Sequence, residues 1–126
     1  MNSNRQELHN LLKKTVKSIT VLYLDDEKHN LKSFEANFNR KYEVITAQTE
    51  KEALELLKTN KIDVFLTDYN MPKVNGNQMI EKVKKLYPSI KSMIITAYSE
   101  GVKANVPVLY KPFNIPEIVN NISILA

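Results

Sequence analysis

Four stretches of this chain carry side chains able to do chemistry: the adjacent acids Asp25-Asp26, the single Asp68, Thr96, and Lys111 in the run Lys111-Pro112-Phe113. Each closes or follows a short apolar run, at residues 19–24, 64–67, 93–95 and 106–110, that reads as a β-strand. In a parallel α/β sheet all strand C-termini lie along one edge, and ligands bind there, at the switch point of the strand order. Three carboxylates, a hydroxyl and an ammonium then converge on one spot, a set that suits a divalent metal and a phosphoryl group.

Adjacent carboxylates on a chain leaving a strand diverge, so Asp25 and Asp26 do not both bind one ion directly: one ligates it and the other acts through water. Carboxylates with waters and carbonyls suit Mg²⁺, which keeps several waters and completes its octahedron with phosphate oxygen. With Asp68 close to the pair, three like charges share a small space and call for a cation, because apposed carboxylates raise one another's pKa values. With Mg²⁺ bound, Asp68 stays ionised and can attack phosphorus to form an acyl phosphate. Lys111 and Thr96 then offer a charge and a hydrogen bond to the equatorial oxygens, which is most of what phosphoryl transfer needs.

The elements that must hold these groups alternate along the chain. The run 19–24 is nearly all apolar, as suits a strand covered on both faces. A helix is expected over 28–39, with Leu31, Phe34 and Phe38 on one face. Strand 43–47 leads to Thr49-Glu50-Lys51-Glu52, a capping-box start to a helix burying Ala53, Leu54 and Leu57. After strand 64–67 comes a loop with Asn70, Pro72 and Gly76, where Gly76 supplies a backbone bend that glycine adopts most cheaply. A helix over about 77–87 buries Met79, Ile80, Val83 and Leu86. Strands 91–96 and 106–110 follow, then a helix opening at Asn114-Ile115-Pro116-Glu117 with Ile118, Val119, Ile122 and Leu125 on its apolar side. A βα repeat without hairpin signals implies a parallel sheet flanked by helices, and right-handed crossovers make a five-stranded doubly wound sheet the simplest topology.

Composition narrows the classes. The 126 residues fit one domain, and the absence of cysteine removes disulfide, zinc-thiolate and thiol chemistry. There is no secretory leader pattern and no apolar run of membrane-spanning length, so a cytoplasmic protein with no membrane partner is expected. The net charge of +4 comes from lysines scattered over several segments, without an aromatic-interleaved basic stretch, and direct nucleic-acid binding is not expected. His9 and His29 have no matching ligand set and read as surface residues, and Glu27 as a solvent-facing first-turn acid.

Taken in order, Asp25-Asp26, the run Asp68-Tyr69-Asn70-Met71-Pro72-Lys73-Val74-Asn75-Gly76, Thr96-Ala97 and Lys111-Pro112-Phe113 closely resemble the receiver domain of two-component response regulators. The resemblance spans residue 19 to the C-terminus, dividing the chain into a receiver domain at 19–126 and an N-terminal extension at 1–18. It implies a CheY-like, flavodoxin-like sheet of strand order 2-1-3-4-5, and a phosphoryl group received on Asp68 from a sensor histidine kinase or histidine phosphotransfer protein. It implies a Mg²⁺ site of Asp26, Asp68 and the Asn70 backbone carbonyl, with Asp25 assisting through water. Thr96 and Lys111 would contact the phosphoryl group, Ala97 would leave access open, and the Lys111–Pro112 bond would be cis. Such a domain is a switch acting on itself rather than a turnover enzyme, and it passes its state to a downstream protein.

Two departures from the family pattern stand out. Val108 occupies the position three before the lysine where relatives place Tyr or Phe. Only fifteen positions separate Thr96 from Lys111 (111 − 96), so the fourth helix is expected to be reduced to a turn or absent. These departures motivate the alternative of a degenerate receiver that serves as a phosphorylation-independent interaction module. A Mg²⁺-dependent aspartyl phosphatase is a third class, but it wants a second acid two residues after the nucleophile, where Asn70 stands. In the extension, Leu8, Leu11, Leu12 and Val16 form an apolar stripe on an expected extra helix, too short to be stable alone and able to pack on its own domain or on a second copy in a homodimer.

Overall fold

The computed structural model describes residues 19–97 and 102–126. Five parallel strands form one sheet: β1 (Thr20–Leu24), β2 (Glu43–Ala47), β3 (Val64–Thr67), β4 (Lys91–Thr96) and β5 (Val108–Tyr110). Their order across the sheet is β2-β1-β3-β4-β5. Four helices are seen among the described residues: α1 (Lys28–Phe38), α2 (Glu50–Thr59), α3 (Gly76–Leu86) and α4 (Ile115–Leu125). This is the flavodoxin-like doubly wound fold expected from the βα alternation. The described part of the β4–β5 connection contains no helix, in keeping with its length.

Strand alternation splits the core into two layers. Val21 and Tyr23 of β1 face Leu31, Phe34 and Phe38 of α1 and Ile118 and Ile122 of α4. Leu22 and Leu24 face the other way, toward Ala53 and Leu57 of α2 and Met79, Ile80 and Val83 of α3. Both sets are buried, which is why β1 and β3 read as continuous apolar runs rather than alternating ones.

The helix starts are locally encoded. Thr49 caps α2 by accepting the Glu52 N–H at 3.1 Å. Asn75 and Gln78 form a reciprocal capping box at α3, each side chain accepting the other's backbone N–H at 2.9 Å. That box moves the start of α3 to Gly76, one residue before the position expected from the apolar stripe, and Tyr87 becomes its C-cap. Leu86 departs from expectation: it shares the stripe by spacing but is 60% exposed, being the final helical residue, past the last buried position at Val83. Leu54 of α2 is only partly buried. Strand β5 begins at Val108 rather than at residue 106. Pro107 has no N–H to give to a ladder, and contributes only its carbonyl, which accepts the Ile94 N–H at 2.9 Å. The expected N-terminal helix and the boundary at residue 18 lie outside the described residues.

Candidate phosphoryl and metal site

The strand order reverses at β1, so the chain ends leaving β1 and β3 form the switch point. Leu24 and Thr67 are register partners, and each strand delivers its acid on the next residue. The ladder continues into the acids themselves: the Asp25 N–H donates to the Ala47 carbonyl at 3.1 Å and the Asp68 N–H to the Leu24 carbonyl at 2.9 Å. Thr96 ends β4 beside them and is buried, and its carbonyl accepts the Lys111 N–H at 2.9 Å. The Lys111–Pro112 peptide is cis.

The three carboxylates come together. One oxygen each from Asp25, Asp26 and Asp68 lie within 4.8 Å of one another. Asp25 is fully buried and Asp68 nearly so, whereas Asp26 is partly open. Lys111 reaches into the cluster, with its Nζ 2.8 Å from Asp25 Oδ2 and 3.5 Å from Asp68 Oδ2. Asp25 is held on every side: Tyr23 Oη donates to Oδ2 at 2.6 Å, and the Glu27 N–H to Oδ1 at 3.0 Å. Asp68 receives its neighbour Tyr69's N–H on Oδ1 at 2.8 Å. Burial lifts the Asp68 carboxyl above its ordinary value; Lys111 pulls it down, and the charge of Asp25 adds to the rise. Burial, reinforced by the charge of Asp25 and the hydrogen bond to it, drives the Tyr23 phenol far upward, so its hydroxyl remains a donor.

A cavity of about 380 Å³ opens over this cluster, lined by Asp26, Glu27, His29, Asn30, Asp68, Asn70, Thr96, Ala97 and Lys111. The sequence-derived residues Asp26, Asp68, Asn70, Thr96 and Lys111 therefore face one space, while Asp25 sits beneath it. The donor set is oxygen throughout, with a lysine alongside to balance an anion, and it fits Mg²⁺ rather than a softer ion.

The floor of the site explains Gly76, and the reason is not a special backbone conformation, since its φ lies outside the left-handed region. A Cβ there would stand 2.9 Å from the Asp68 carbonyl oxygen and 3.1 Å from Tyr69 Cα. The first turn of α3 is thus packed directly under the Asp68 backbone, and the Gly76 N–H donates to the Tyr69 carbonyl at 2.8 Å.

Residues 21–123 match the family model of the response regulator receiver domain. The chain belongs to this family. Among curated relatives, the receiver domain is 29% identical over 85 residues to the hydrogenase transcriptional regulatory protein HoxA of Cupriavidus necator, covering 68% of this chain and 18% of that protein. It is 29% identical over 115 residues to the sensor kinase CckA of Brucella abortus, covering 83% of this chain and 12% of that protein. The chain thus spans less than a fifth of the length of these relatives. Among solved structures, the receiver domain of a Francisella response regulator is 30% identical with a TM-score of 0.73, over 85% of this chain and 95% of that one. A receiver domain protein from Clostridium thermocellum gives 28% and 0.72, over 85% and 93%.

Tyr23 is the residue of this receiver site that composition and motif spacing do not point to. The one signal for it is strand periodicity: Asp25 directly follows β1 and lies two residues after Tyr23 on chain that continues the ladder, hence on the same side of the sheet, which puts a phenol within reach of the first acid. His29, expected at the surface, is exposed and pairs with Glu27 at 3.3 Å, at the rim of the cavity.

Proposed function

We propose that this receiver domain accepts a phosphoryl group onto Asp68 from a phosphohistidine on a sensor kinase or phosphotransfer protein, in a Mg²⁺-dependent step. The observation that carries the proposal is the convergence of the Asp25, Asp26 and Asp68 oxygens within 4.8 Å beside the Lys111 ammonium. An Asp68 carboxylate oxygen attacks phosphorus as the P–N bond to the donor imidazole breaks, and the departing imidazole takes its proton from water. Asp26, Asp68 and the Asn70 carbonyl would hold Mg²⁺, with Asp25 acting through water. When bound, Mg²⁺ neutralises the crowded acids and the charge on the phosphoryl oxygens. Lys111 moves its contact from Asp25 toward the phosphoryl group, and Thr96 adds a hydroxyl to it. The acyl phosphate is later hydrolysed at the same site, so the domain is a cytoplasmic switch rather than a turnover enzyme, and its population shift is read by a downstream protein.

The intact acid set with Lys111 favours this reading over a phosphorylation-independent interaction module. Intact-mass spectrometry after incubation with acetyl phosphate tests it. A gain of one phosphoryl mass that requires Mg²⁺ and disappears in Asp68→Asn supports the proposal, and retention of the gain in Asp68→Asn sinks it.

A further inference from the structure

We propose that Tyr23 is a positioning residue for phosphoryl transfer: its hydroxyl keeps Asp25 Oδ2 satisfied when Lys111 leaves that oxygen for the phosphoryl group. The inference rests on the receiver function proposed above and names a residue that the motif set does not include. It begins with one oxygen and two donors. Asp25 Oδ2 accepts from Tyr23 Oη at 2.6 Å and from Lys111 Nζ at 2.8 Å, while Oδ1 is occupied by the Glu27 N–H. Lys111 therefore stands between two carboxylates and is nearer Asp25 than Asp68 by the difference between 2.8 and 3.5 Å. Drawing closer to a group on Asp68 moves the ammonium away from a fully buried oxygen, and weakening the donor to a buried acceptor is costly. The Tyr23 hydroxyl, a charge-assisted bond to the same atom, remains behind and lowers that cost.

The hydroxyl is held in place by packing. The Tyr23 ring lies 4.7 Å from Phe34 of α1 and 6.0 Å, edge-on, from Phe113, and Phe113 is two residues after Lys111 on the same loop. Tyr23→Phe keeps every ring contact and removes only the donor. Among the described residues Lys111 is then the one side-chain donor left to Oδ2, and it is held there.

The test measures phosphorylation rate of the full chain at saturating acetyl phosphate and Mg²⁺, for wild type, Tyr23→Phe, Lys111→Met and the double variant, with melting temperature alongside. Tyr23→Phe should slow the rate about tenfold, equivalent to about 1.4 kcal/mol. It should add nothing in the Lys111→Met background, where no ammonium needs releasing. Phe38→Leu, which loosens the same aromatic cluster away from the acids, should lower the melting temperature and leave the rate unchanged. If Tyr23→Phe does not fold, Tyr23→Met, an adaptable apolar filler, carries the same cycle. A rate equal to wild type in the folded variant overturns the inference alone, as does a slowing that persists undiminished without Lys111. A wild-type chain that takes up no phosphoryl group from either acetyl phosphate or a phosphohistidine donor overturns the receiver function and this inference with it.

Discussion

At the scale of single residues, the acid cluster sets function against stability. Burial and the charge of Asp25 together raise the Asp68 carboxyl by more than Lys111 and the Tyr69 N–H lower it. For an acid whose folded pKa lies above its unfolded one, ionisation costs stability: the penalty is absent below the unfolded value and grows as pH rises through the folded value. Asp68→Asn should therefore melt a few degrees higher than wild type in metal-free buffer at neutral pH. The gain should fade as pH falls toward the ordinary carboxylate value of about 4. A thermal-melt series across pH in the presence of a chelator checks this, and a variant less stable than wild type at neutral pH would contradict it. Asp26 is the open member of the cluster, so Asp26→Asn should raise the Mg²⁺ concentration needed for half-maximal phosphorylation by about tenfold or more. A Mg²⁺ titration of the labelling rate reads this directly.

At the scale of elements, the contact that matters most is the first turn of α3 under the chain leaving β3. Gly76→Ala places a methyl 2.9 Å from the Asp68 carbonyl oxygen, against backbone that cannot swing aside. It should cost about 1–3 kcal/mol, the range for overpacking a filled site, and slow phosphorylation by displacing Asp68. Urea unfolding together with the labelling rate measures both effects. Asn75→Ala removes the α3 cap and should cost about 1 kcal/mol by the same unfolding assay, with a smaller effect on labelling. Leu86→Gln, at the exposed end of the same helix, should change stability by no more than about 0.5 kcal/mol. The contrast between Gly76 and Leu86 separates residues that belong to the site's floor from residues that share a stripe with them only by spacing.

At the scale of the whole molecule, the proposed Mg²⁺ binding would couple to folding, because the acids meet only when β1 and β3 are paired. Ligand that binds only the folded state stabilises it by about 2.7 kcal/mol at a hundred times its dissociation constant. Saturating Mg²⁺ should accordingly raise the melting temperature of wild type by several degrees and that of Asp26→Asn by little at the same concentration. Equal shifts in the two proteins would point to a cation site elsewhere. The proposed switch would also have to work with Val108, a partly buried β5 residue packed on the α2–α3 side, in place of the aromatic of the family pattern. Tyr23, tied to Asp25 on one side and to Phe34 and Phe113 on the other, links the acids to α1 and to the loop entering α4 instead.

Much of this was legible in the linear chain. Apolar runs with the right period located the strands, and a polar side chain at the end of each run marked Asp25, Asp26, Asp68, Thr96 and Lys111, because a parallel sheet puts all those ends on one edge. Local chemistry at Thr49 and Asn114 marked helix starts, since a cap needs only its own next three residues. Other features depend on which groups meet across the fold, and no local pattern carries them. The exposure of Leu86 depended on where α3 ends relative to the sheet, and the need for glycine at 76 on a backbone atom eight residues earlier. The sharing of one Asp25 oxygen by Tyr23 and Lys111 joins residues 88 positions apart (111 − 23). Sequence by itself determined the strand ends and the residue types delivered there. Only the tertiary structure decided which oxygen each donor holds, because a hydrogen bond is set by the distance between atoms that the sheet brings together.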